Sequence, residues 1–221
     1  MRIFAALMLS LALVAPAPAY AAPAPTYAAP APTAAPAVTI RPINFRPAVD
    51  LAPGVLYRSG KLSRATAADR RYLAALLAGG TIIDLRTKAK MKSSPDPKLP
   101  GVVRVPIPLS PGRYSRFVTD PKRRAAIGKA IRTVAYARGP VLIHCTYGRD
   151  RTGWTVAVIY LALGLPEATV RAEYLRSSGA TSAKLNSGLT AIRARGGLAR
   201  YLGALGLTAA DLAALRAKLT N

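Results

Sequence analysis

The run Val141-Leu142-Ile143-His144-Cys145-Thr146-Tyr147-Gly148-Arg149-Asp150-Arg151-Thr152-Gly153 organises the rest of this chain. Val141-Leu142-Ile143 is short, apolar and β-branched at its ends, which predicts a buried strand. Trp154-Thr155-Val156-Ala157-Val158-Ile159-Tyr160-Leu161-Ala162-Leu163 is apolar nearly all round and predicts a buried helix. The glycine-bearing loop between them therefore sits at a helix N-terminus. Backbone N–H groups there lack intrahelical partners, and the dipole presents partial positive charge. Such a place binds anions, phosphate above all.

The side chains of the loop fit that anion. Cys145 leaves the strand into the positive field, which favours its thiolate. Free cysteine has a pKa of about 8.5, lowered to ~3.5–7.5 at helix N-termini or beside cations. Arg151 returns to the rim with a planar fork that holds two phosphate oxygens at once. Gly148 at the apex permits the angles that turn successive N–H groups inward, so Thr146, Tyr147, Gly148 and Arg149 form the cradle. Thr152 offers a hydroxyl to the sulfur, and His144 supports the loop from the strand side. The chemistry implied is attack of a thiolate on phosphorus, then hydrolysis of the phosphocysteine. A buried cysteine alone is common and inert; here His, Gly, Arg, Thr and Gly all stand in register with it.

His144-Cys145-x5-Arg151-Thr152-Gly153 resembles the signature of the cysteine-dependent protein tyrosine phosphatase superfamily. With Arg149-Asp150 ahead of Arg151, it is similar to a bacterial subgroup whose loop reads Lys-Asp-Arg-Thr-Gly. Leu56-Tyr57-Arg58-Ser59-Gly60-Lys61-Leu62 and Ile82-Ile83-Asp84-Leu85-Arg86-Thr87 resemble two further segments of that subgroup. The resemblance implies an α/β fold, a central, mainly parallel sheet flanked by helices, with the phosphate loop between a strand and a buried helix. It implies a secreted enzyme acting on phosphotyrosine, phosphoserine/threonine or phosphoinositides. The superfamily usually protonates the leaving oxygen from an aspartate. Asp150 matches the subgroup's loop aspartate, and Asp120 is the alternative before Cys145.

The chain has 221 residues, 51% of them hydrophobic, enough for one domain with a substantial core. Met1-Arg2, the apolar run 3–14 and the small-residue site Ala19-Tyr20-Ala21 read as a secretory signal peptide over 1–21. The run is shorter than the roughly 20 residues needed to span a membrane. Residues 22–39 are nearly all Ala, Pro and Thr, an extended or disordered spacer. The domain is expected over 40–221. Export predicts a secreted or periplasmic protein. Cys145 is the only cysteine and His144 the only histidine, so an intrachain disulfide is impossible and a structural zinc site is not expected. No metal or organic cofactor is required, because the loop supplies the positive charge itself.

Val55–Arg58 predicts the first strand. Ala67–Ala78 predicts a helix, with Thr66 and Asp69 spaced as a capping box. Thr81–Leu85 predicts a central strand, with Asp84 and Arg86 at the edge where α/β sheets gather ligands. Lys88–Pro100 reads as a mobile basic loop, Val102–Val105 as a strand, and Ser110–Asp120 as a lid-like loop. Pro121–Ala137 is a helix whose basic first turn opposes the dipole. Further helices are expected near 167–177, 182–195, 198–204 and 208–219, the last opened by Thr208 and Asp211 in a second capping-box pattern.

The formal net charge is +23, which predicts attraction to anionic surfaces, including an anionic membrane. No aromatic stacking platform interleaves the basic residues, so nucleic acid is not expected as a partner. The expected substrate is a phosphorylated protein, with a phosphoinositide or inositol phosphate as the alternative. Two other classes share features with this reading. A sulfur-transfer enzyme also cradles an anion around a cysteine but has no need of Arg151-Thr152-Gly153. A catalytically silent anion-binding protein would keep the loop without turnover.

Overall fold

The structure, a computed structural model, describes residues 42–220. The leader expected over 1–21 and the spacer over 22–39 lie outside the described residues.

The strands are β1 (Arg46–Pro47), β2 (Leu56–Ser59), β3 (Thr81–Asp84), β4 (Val103–Pro106) and β5 (Val141–His144). They form one sheet in the order β1-β2-β5-β3-β4, parallel except for the antiparallel edge strand β1. The central strand β5 pairs on both sides: Ile143 lies opposite Arg58 and Ile83, and His144 opposite Ser59 and Asp84. The C-terminal ends of β2, β3 and β5 thus converge on the loop after His144. The mainly parallel α/β architecture agrees with the expected fold class.

The helices are α1 (Ala67–Leu76), α2 (Lys88–Ser93), α3 (Tyr114–Thr119), α4 (Pro121–Tyr136), α5 (Asp150–Ala162), α6 (Glu167–Leu175), α7 (Ser182–Ala194), α8 (Gly197–Ala204) and α9 (Ala209–Thr220). Strand residues alternate between two cores, as a period of two requires. Tyr57, Ile82 and Leu142 pack under α1 with Leu62, Leu73 and Leu77. Leu56, Ile83, Val141 and Ile143 face the larger core with α5, α4 and the helices that follow. Helix α5 is buried from Arg151 to Tyr160 without interruption, because the sheet lies on one side and α4, α6 and α7 cover the others.

Both capping boxes form: Asp69 N–H donates to the Thr66 hydroxyl and Thr66 N–H to the Asp69 carboxylate, and Thr208 and Asp211 repeat the exchange. Two stretches differ from expectation. The basic loop after Thr87 contains the six-residue helix α2, capped by the Thr87 hydroxyl. The lid-like loop contains α3, whose Tyr114, Phe117 and Val118 are buried against Trp154 and its neighbours. The basic first turn of α4 also finds a structural use. Arg123 donates to the carbonyls of Ser110 and Pro111 and pairs with Asp120. Arg124 donates to those of Val118, Thr119 and Ala204. Backbone carbonyls thus hold both guanidinium groups.

Candidate active site

The anion loop runs from Cys145 to Arg151, between β5 and α5. Cys145 is buried, with a relative exposure of 2%. Burial pushes its thiol up. Arg151, the Thr152 hydroxyl, and the N–H groups of Thr152 and Tyr147 outweigh that and hold it below the ordinary cysteine value. Thr152 Oγ1 is buried with no other partner than the sulfur it faces. Arg151 is pinned from behind: Nη1 donates to the carbonyls of Leu85 at 3.1 Å and Leu109 at 3.3 Å, and Nη2 to Thr146 Oγ1 at 3.0 Å. Its fork is therefore set before any anion arrives.

Three consecutive loop carbonyls are held outward by donors behind the loop. Lys61 N–H donates to Thr146 O at 3.1 Å, Asn44 Nδ2 to Tyr147 O at 2.8 Å, and Arg58 Nη2 to Gly148 O at 2.8 Å. A trans peptide points its N–H opposite to its C=O, so the N–H groups of Tyr147, Gly148 and Arg149 turn inward. Gly148 has φ +67° and touches the strand behind it: a Cβ there would lie 2.4 Å from Ser59 C and 2.5 Å from Gly60 N. Only glycine meets both requirements.

Behind the loop lies a buried cluster that sequence reasoning missed. Arg58 has zero exposure and donates to Glu173 Oε1 at 3.1 Å and Ser177 Oγ at 2.9 Å. Arg46 shares the same carboxylate at 2.9 Å. Burial lowers the pKa of Arg58 despite Glu173. The subgroup-like segment Leu56–Leu62 contained Arg58, but its partner is 115 residues away, beyond any local pattern.

On the strand side, Asp84 and Asp96 both receive Arg86, with Nη2 at 2.7 Å from Asp84 Oδ2 and 2.5 Å from Asp96 Oδ2. His144 is fully buried, which lowers its pKa, and its Nε2 lies 3.3 Å from Asp96 Oδ2. Asp84 is held below the usual carboxylate range by Arg86 and His144, against burial, which raises it. Asp84, Asp96 and His144 are close enough to hold a cation. Arg86 already lies on both carboxylates and supplies the countercharge a cation would bring. Asp96 was missed because a lone Asp between prolines carries no pattern.

The cleft over Cys145 is a cavity of about 830 Å³ lined by Thr146, Tyr147, Arg149, Asp150 and Arg151, together with Lys90, Arg113, Tyr114 and Lys184. Tyr147 is exposed, and the Arg149 guanidinium lies 5.8 Å from its ring centroid. Asp150 is the only carboxylate in the lining among the described residues. It accepts from Lys184 Nζ at 2.9 Å, from Arg149 Nε at 2.9 Å and from the Tyr114 hydroxyl at 3.3 Å. Burial raises its pKa, but Lys184 and Arg149 hold it below the usual carboxylate range. Asp120 caps α4 through Lys122 N–H and Arg123 N–H and does not line the cleft.

A thiol with a depressed pKa, inward N–H groups and a pinned guanidinium around one cavity can bind a tetrahedral oxyanion and attack its central atom. Residues 46–192, well over half of the chain, match the profile described as the tyrosine phosphatase family. The chain belongs to that family. The triple specificity protein phosphatase PtpB of Mycobacterium tuberculosis is 40% identical over 65 residues, 29% of this chain and 23% of that one. H16_A0669, a candidate tyrosine-protein phosphatase of Cupriavidus necator, is 29% identical over 150 residues, 57% of this chain and 54% of that one. The aligned parts thus span about half or less of these relatives' lengths. Among solved structures, TpbA of P. aeruginosa superposes with a TM-score of 0.50 at 18% identity, over 74% of this chain and 98% of that one. It shares the fold.

Proposed function

We propose that the protein is a cysteine-dependent phosphatase that hydrolyses phosphate monoesters, phosphotyrosine first, through a phosphocysteine. The observation that carries this reading is the buried Cys145 inside a ring of inward N–H groups, with Arg151 already pinned over it. The Cys145 thiolate attacks phosphorus in line, the bond to the ester oxygen breaks, and that oxygen takes a proton. Asp150 is the acid the cleft offers. Lys184 and Arg149 hold its pKa low, so protonation requires these cations to turn to the incoming anion. Water then attacks phosphorus, the P–S bond breaks, Asp150 accepts the water's proton, and phosphate leaves.

Phosphoserine and phosphothreonine follow the same course. A second reading, a phosphoinositide or inositol phosphate, is favoured by the cations of the cleft: Lys90, Arg113, Arg149 and Lys184 line it together with one carboxylate, Asp150. Recognition of a second phosphate would use them. The leader-like sequence of residues 1–21 supports export to the periplasm or beyond, and the +23 charge supports work near an anionic surface.

Phosphate release from a phosphotyrosyl peptide and a phosphoinositide, measured side by side with Cys145→Ser as the blank, tests the reading. Release lost in the variant is the expected result, and the ratio of the two rates names the substrate class. No release from either by the wild-type chain would sink the enzyme and favour an anion-binding protein.

A further inference from the structure

A residue that lies ahead of the family-matched region reaches the anion loop. That region begins at residue 46, and the strap in front of it reaches the loop. Gly60 N–H donates to Ile43 O at 2.7 Å, and Phe45 stacks on Tyr57 with ring centroids 6.0 Å apart. Asn44 sits between these anchors with φ +59°, a left-handed backbone that asparagine tolerates better than most residues. Its amide is used at both ends. Nδ2 donates to Tyr147 O at 2.8 Å, and Oδ1 accepts from Ser178 N–H at 2.8 Å in the turn after α6. Reversing the amide would set like against like at both contacts, so a single orientation satisfies them.

Tyr147 O is the middle one of the three outward carbonyls. Its peptide carries the Gly148 N–H at the loop apex, where φ is +67°. Lys61 and Arg58 fix the peptides on either side. We infer that Asn44 is a positioning residue for the anion loop, locking the Tyr147–Gly148 peptide from outside so that the Gly148 N–H faces the bound oxyanion. The strap is thereby part of the active site, although it touches no substrate. The inference rests on the phosphatase reading only insofar as the loop binds a tetrahedral oxyanion.

Calorimetric titration of the full chain with orthovanadate reads this without requiring turnover. Asn44→Gly keeps the left-handed backbone unstrained and removes both amide contacts. Phe45→Leu weakens the packing of the same strap without touching the loop. One lost hydrogen bond to the loop predicts a dissociation constant about fivefold to tenfold higher for Asn44→Gly, with Phe45→Leu at the wild-type value despite a lower melting temperature. The pH at which Cys145 alkylates half-maximally should rise in Asn44→Gly alone, since a loosened N–H supports the thiolate less. Wild-type affinity in Asn44→Gly, or an equal loss in both variants, overturns the proposal. If the wild type binds vanadate but releases no phosphate, the catalytic reading falls while the affinities still decide the role of Asn44. If it binds no vanadate, both fall.

Discussion

Replacing Arg58 by Met removes a fully buried guanidinium and leaves a stem of similar length in its place. Three acceptors lose a donor: Glu173 Oε1 at 3.1 Å, Ser177 Oγ at 2.9 Å and Gly148 O at 2.8 Å. Glu173 has 1% exposure, and its other oxygen already has no hydrogen-bond partner. Removing one member of a buried ion pair costs about 3–5 kcal/mol. Arg46 stays at 2.9 Å from the same carboxylate, which places the expected loss near the lower end, about 3 kcal/mol. At about 2–4 °C per kcal/mol for a domain of this size, the melting temperature should fall by roughly 6–12 °C. Urea unfolding gives the free energy directly, provided the slope is unchanged. Arg58→Met with Glu173→Gln should cost at least about 1 kcal/mol less than the sum of the two single variants, because both break the same buried pair. A single variant within about 1 kcal/mol of wild type, or a double variant in which the losses merely add, would refute the reasoning.

Gly148→Ala should lose at least about a hundredfold in kcat/KM while circular dichroism stays native, since a Cβ would meet Ser59 and Gly60 and displace the apex; a variant within a few-fold of wild type contradicts the close approach. Iodoacetamide should modify Cys145 at pH 7 through a thiolate population larger than that of free cysteine, and Thr152→Val should shift the titration upward; an unshifted curve removes the hydroxyl from the account. Lys184→Met takes one cation off Asp150, so its carboxyl should hold a proton to higher pH and the alkaline limb of kcat/KM should move upward. A limb that stays put, or moves down, would show that Asp150 is not the acid.

The loop and its flanks were legible because local chemistry and local structure coincide there. A β-branched apolar run, a glycine at the apex and an apolar helix occupy one contiguous stretch, so no long-range information was needed. The two capping boxes were legible for the same reason, each being a three-residue spacing. What sequence reasoning missed lies in pairings across the chain. Glu173 looks like a surface residue of α6 until Arg58 and Arg46 arrive from β2 and β1. Asp96 looks like a loop acid until Arg86 folds back onto it. Helices α2 and α3 have six residues each, too short for a periodic signal, and α3 exists because Tyr114 and Phe117 have Trp154 to pack on. The edge strand β1 has two residues, one of them a proline, and is held by its neighbours more than by propensity.

The chain carries 32 basic residues against 9 acidic ones, and eight of those acids occupy defined posts. Asp69 and Asp211 cap helices, Asp120 caps α4, Asp84 and Asp96 clasp Arg86, Glu173 clasps Arg58, Glu167 joins Arg171 to Arg193, and Asp150 faces the cleft. Asp84, Asp120, Asp150 and Asp211 all have carboxyl pKa values held below the ordinary range. Their stabilising effect is complete above the unfolded-state value of about 4 and disappears as pH falls through the folded-state values. Each proton taken up in that window also adds to a charge that is already strongly positive, so acid dissolves the clasps and drives the arginines apart together. The molecule is thus brittle in acid, and steadied by any polyanion that dilutes its own repulsion.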